Sequence, residues 1–136
     1  MDDWARICAQ LSYIFEQNRP VNFDIHLSSE EVSDYLTNHA LFIRVSAPDQ
    51  VHIEAALFVT TGGECGFISL SNPTTGTVKY LQKEFNAFVL NLPENLRQKL
   101  WCRTQPHNKI AQRLVKRLGF EQSSTTDTAY YYRYGG

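Results

Sequence analysis

The sequence predicts an α+β (α/β) fold, a mixed and mostly antiparallel sheet flanked by helices, and three observations carry that expectation. Apolar residues recur at three- and four-residue steps in four stretches, the period of amphipathic helices. Between and after them lie β-branched, alternating runs bounded by turn residues. The composition, 43% hydrophobic and 12% aromatic over 136 residues, is that of one globular core, so residues 1–136 are read as a single domain and neither a disordered tail nor a fibre.

The first helix starts near Trp4, with Ile7, Cys8, Leu11, Ile14 and Phe15 on one face, and Asn18 to Pro20 stop it. A second, shorter helix begins at Ser29, after Ser28. Glu30, Glu31 and Asp34 suit its positive end, and Val32, Tyr35 and Leu36 share a face. Leu41–Ser46, His52–Thr60 and Cys65–Ser71 then read as three antiparallel strands, separated by Pro48-Asp49 and Gly62-Gly63.

Helical spacing returns between Asn72 and Pro93, where Val78, Leu81, Phe85, Phe88, Val89 and Leu92 form one stripe. Asn72-Pro73 or the two threonines after them offer the cap. Lys99–Arg103 reads as a short buried strand. A fourth helix runs from His107 to Leu118, with Ile110, Ala111, Leu114, Val115 and Leu118 inward, Lys109, Arg113, Lys116 and Arg117 outward, and Gly119 as its stop. Phe120–Ser124 and Ala129–Tyr134 complete the sheet, the latter with one buried and one exposed aromatic row.

The formal net charge of −1 conceals an asymmetry: residues 1–78 carry three basic and ten acidic side chains, and residues 79–136 carry ten basic and four acidic. The carboxyl half is suited to an anion, either phosphate or an acidic partner surface, while the overall charge disfavours nucleic acid as the partner. The three cysteines, Cys8, Cys65 and Cys102, have no C-x-x-C pairing and suggest neither a disulfide framework nor a zinc site, and a reducing cytoplasmic setting fits them. No apolar run approaches the ~18 residues of a membrane span, so membrane insertion is not expected.

The segment Asn108-Lys-Ile-Ala111-Gln-Arg-Leu114-Val-Lys-Arg-Leu118-Gly119-Phe120 resembles the Asn-x-x-Ala-x-x-Leu-(Tyr)-x-x-x-Gly-Phe stretch of the GNAT N-acetyltransferase superfamily. The order of elements over residues 3–134 resembles that family as well, with its opening strand absent. The resemblance implies a sheet that splays open between the strands ending near Leu70 and Arg103 and admits the pantetheine arm of acetyl-coenzyme A. Backbone groups from Phe67 through Ile68 to Leu70 would pair with that arm, and the helix after Asn72 would face the pyrophosphate. Asn108 matches the position that hydrogen-bonds the cofactor near its reactive end, and Lys109 and Arg113 are placed by charge to meet phosphate.

Three positions depart from the family pattern. Its Arg/Gln-x-x-Gly-x-Gly/Ala phosphate loop has no full match, since Ser71-Asn-Pro-Thr-Thr-Gly76-Thr-Val78 supplies the single glycine Gly76. Val115 stands where many members carry a tyrosine that protonates the leaving thiolate. The first strand is missing. Acyl transfer to a primary amine needs a base and an oxyanion site: Glu64 is the first candidate base, with Glu54 and His107 beside it, and backbone amides around Ile68 to Leu70 would hold the oxyanion. The alternatives are a solvent-facing turn glutamate, a surface histidine and, for Cys102, a packed small hydrophobe instead of a nucleophile. At the level of the whole chain the alternative is a catalytically degenerate structural or assembly domain that binds protein partners, as occurs among tailed-phage virion proteins.

Overall fold

In a computed structural model the described residues are 2–17, 28–47, 52–69 and 74–135. The expected stop at Asn18–Pro20, the Pro48-Asp49 turn, the Asn72-Pro73 cap and Leu70 lie outside them. Two helices come first, α1 (Asp2–Gln17) and α2 (Ser29–His39). The start of α2 is a reciprocal cap: Ser28 Oγ accepts from the Glu31 N–H at 3.2 Å, and the Ser28 N–H donates to Glu31 Oε1 at 2.8 Å. Those bonds hold the exposed Glu31 carboxyl below its ordinary pKa.

Strands β1 (Ala40–Ser46), β2 (Ala55–Thr60) and β3 (Cys65–Ser69) form an antiparallel sheet in that order. Every residue of β2 is buried, because the sheet is covered on both faces. Its alternate side chains feed two separate cores. Ala56 and Phe58 pack with Cys8, Leu11, Phe15, Val32 and Leu36 of the α1/α2 layer. Ala55, Leu57 and Val59 pack toward α3 (Thr75–Leu90), whose Leu81, Phe85 and Val89 recur every fourth residue. The second strand begins at Ala55 instead of His52.

Helix α3 is capped by Thr74, whose hydroxyl accepts from the Thr77 N–H at 3.2 Å. Phe42 of β1 stacks on Phe88 of α3 at 4.1 Å between ring centroids, and Arg44 of β1 donates to Glu84 at 3.0 Å. A single turn, α4 (Glu94–Arg97), precedes β4 (Trp101–Thr104), α5 (Lys109–Arg117), β5 (Phe120–Thr125) and β6 (Tyr130–Tyr134). The last strand lies between the other two, giving a second antiparallel sheet in the order β4-β6-β5.

Two differences from the sequence reading bear on function. Instead of one mixed sheet, the described residues form two antiparallel three-stranded sheets, joined among those residues by one parallel bridge between Glu64 and Trp101. The crossover through α3 lays β4 parallel to β3, and the bridge pairs Glu64, the residue before β3, with Trp101, the first residue of β4. Ile110, expected inward, is 61% exposed, because Ala111, Leu114, Val115 and Leu118 define the inner arc of α5 and Ile110 falls at its edge. Among the described residues no helix is long and apolar enough to cross a membrane.

Candidate functional site

The parting of the strands creates the site. Gly63, at φ +89°, turns the chain so that its carbonyl accepts from the Trp101 N–H at 3.0 Å, and this bond together with the bridge beside it closes one end. Beyond it no ladder joins β3 to β4 among the described residues, and β3 keeps a strand partner only on its β2 side. Between the diverging strands lies a cleft of about 250 Å³, floored by α3 and walled by α5. That volume lies just under the ~300–1,000 Å³ usual for ligand sites. Cys65 and Phe67 line it from β3, Cys102 and Thr104 from β4, Thr77 and Leu81 from α3. Arg113, Arg117 and the exposed Ile110 stand on the α5 side.

Alternation along β3 sends Cys65, Phe67 and Ser69 into the cleft and Ile68 into the α1/α2 core. Of the residues proposed to hold the cofactor, Phe67, Asn108 and Arg113 line the cleft, whereas Ile68, Lys109 and Gly76 do not, and Leu70 lies outside the described residues. Ile68 is a core side chain, so any contribution to the cleft would come from its backbone. Gly76 occupies the first turn of α3, is exposed, and has open space where a side chain would stand, so no close approach there requires a glycine. Asn108 is the N-cap of α5: its Oδ1 accepts from the Ala111 N–H at 3.1 Å, tying the motif residue to helix initiation.

The two candidate catalytic residues stand in different surroundings. His107 is exposed in the turn ahead of α5 and is not part of the cleft lining. Glu64 is 5% exposed, which removes the solvent-facing alternative. It sits at the apex, outside the cleft lining, in contact with α2. The Tyr35 hydroxyl donates to its Oε1, Arg103 Nε stands 3.9 Å from its Oε2, and its own N–H donates to Thr60 Oγ1 at 3.1 Å. Glu54, the other carboxylate considered, precedes β2 and accepts from the Thr74 N–H at the start of α3. Sequence reading missed Tyr35 and Arg103. Tyr35 looked like one more apolar residue of α2, and its partner is 29 positions away.

Burial, reinforced by the bond to Glu64, raises the Tyr35 hydroxyl above its ordinary value, so it remains a donor at neutral pH. The arrangement is thus a buried carboxylate between a hydroxyl donor and a guanidinium, at the closed end of a slot. A raised folded-state value favours the protonated form, so this contribution to stability is complete below about pH 10 and is lost as pH rises through the folded-state value. Tyr35→Phe is therefore expected to lower stability by about 1–2 kcal/mol at pH 7, the size of a partly exposed hydrogen bond to a charged group. In urea unfolding the gap to the parent chain should shrink above pH 10; equal stabilities at pH 7 would show that the Tyr35–Glu64 bond contributes nothing.

Buried polar groups mark one more position. Both side-chain polar atoms of Gln105, which follows β4, are buried and have no hydrogen-bond partner among the described residues. Compared with protein-family models, curated proteins and solved structures, the chain finds no match.

Proposed function

We propose that the cleft between β3 and β4 holds the pantetheine arm of an acyl-coenzyme A, and that the chain is an N-acyltransferase domain of the GNAT kind acting on a primary amine. The observation that carries this reading is the single bridge followed by parted strands. A slender, amide-bearing arm can add to the β3 edge as a further strand would, over an apolar floor. Bound acyl-coenzyme A would supply an activated thioester carbonyl. Glu64, buried outside the cleft lining, would draw the proton from the incoming ammonium through a bridging water, and Tyr35 and Arg103 would hold its carboxylate in place.

The phosphate end fits less well. Glu54 already places a carboxylate on the Thr74 N–H at the positive end of α3, where a pyrophosphate would otherwise bind. Arg113 and Arg117, on the cleft's α5 wall, are the cations left to meet it. The Glu54 contact also favours the second reading, a domain of the same shape that binds no acyl-coenzyme A and serves assembly through protein contacts.

Isothermal titration with acetyl-coenzyme A separates the two. The first reading expects one site per chain, weakened by salt and by the double substitution Arg113→Ala, Arg117→Ala. It also expects a two- to fivefold gain from Glu54→Gln, roughly the 0.3–1 kcal/mol of a charge at a helix terminus. No heat from either the parent or Glu54→Gln at millimolar cofactor would leave the assembly reading standing.

A further inference from the structure

Cys65 and Cys102 are the residues that follow the two halves of the Glu64–Trp101 bridge. Side chains of neighbouring parallel strands at matched positions lie on the same face, so both thiols turn to the side opposite Glu64. Both line the cleft, both belong to the α3-side core, and both are free and at most 4% exposed. Paired strands run about 4.8 Å apart, and a disulfide accepts Cα separations of about 4.4–6.8 Å. One residue past the bridge the two positions are still neighbours, near enough that Cys102 acts electrostatically on the Cys65 thiol.

We propose that Cys65 and Cys102 form a cross-strand dithiol that low-molecular-weight disulfides convert to an intramolecular disulfide, pinning the closed end of the cleft. In the first step one cysteine thiolate attacks the external disulfide, forming a mixed disulfide and releasing one small thiol. The second cysteine then attacks the protein sulfur of that mixed disulfide and releases the other small thiol. Two protein thiols are oxidised to one disulfide, and the external disulfide takes up both electrons and both protons as two thiols. Burial raises both protein thiols above the ordinary cysteine value, which makes the exchange slow at neutral pH without removing it. Cys8 lies in the other core, under α1 and α2, and takes no part. The inference concerns the thiols alone and stands apart from the acyl-coenzyme A reading.

The test uses the whole chain incubated with oxidised glutathione, quenched with acid, unfolded and alkylated with N-ethylmaleimide. The three maleimide adducts of the reduced protein should fall to one, on Cys8, with the mass lowered by two hydrogens and a Cys65–Cys102 linked peptide after digestion. Cys8→Ala should leave the link unchanged, and Cys102→Ala should abolish it. Retention of three maleimide adducts by a chain whose circular dichroism shows it folded would overturn the proposal. So would separate glutathione adducts without the link, or a link that includes Cys8.

Discussion

Gly63→Ala is expected to destabilise the chain by about 3 kcal/mol or more, from two additive sources. The φ of +89° at this position is strained for any residue with a side chain, roughly 1–2 kcal/mol. A Cβ built there would also stand 2.4 Å from the Lys99 carbonyl oxygen, which is backbone and cannot rotate aside, so the two segments must separate. The same residue accepts the Trp101 N–H and precedes the bridge residue Glu64, so the separation falls on the joint between the sheets. Thermal unfolding should register a fall of roughly 10 °C. Gly62→Ala, whose Cβ meets nothing closer than 3.9 Å, should change stability by less than ~0.5 kcal/mol. If the two variants melt together, the junction does not rest on Gly63.

Gly63 also marks the boundary of what the sequence discloses. Elements made by local periodicity are legible: the faces Cys8-Leu11-Phe15 and Leu81-Phe85-Val89, the Ser28 cap and the stop at Gly119, whose φ is +102°. The β1–β2–β3 meander is legible for the same reason, because hairpin neighbours are adjacent in sequence. The split into two sheets is not, since the relation of β3 to β4 depends on a crossover through α3 and on one backbone conformation. Periodicity also misassigns Ile110, since a stripe on a helical wheel does not say where the stripe ends.

The site divides along the same line. An opening between these strands is what the family resemblance implies rather than what periodicity shows, and Phe67, Asn108 and Arg113 line the cleft found there. The burial of Glu64 does not follow from its neighbours, since a residue after Gly62-Gly63 looks like a turn tip. What buries it is Tyr35 from α2 and Arg103 from β4, both remote in sequence. The occupation of the α3 terminus by Glu54 is a similar long-range contact, over 20 positions. It would have to be weakened for a phosphate to bind there with full strength.

The other large effect is expected at Phe85, where truncation to alanine should cost about 3–5 kcal/mol, a large share of the 5–15 kcal/mol that holds a domain of this size. Phe85 is fully buried on α3 and reaches the second sheet, with ring centroids 5.8 Å from Phe120 and 6.0 Å from Tyr134. On the same helix, Leu81 and Val89 share a core with Leu57 and Val59 of the first sheet. One helix is therefore packed beneath both sheets. Removing the ring leaves a cavity that close-packed neighbours can fill only by moving the sheets, so the loss is expected in urea unfolding as a lower midpoint at an unchanged slope. Leu90→Ala, five residues on along the same helix and 78% exposed, should change the midpoint little. A loss below ~1.5 kcal/mol for Phe85→Ala would mean that the sheets collapse readily onto the vacated space.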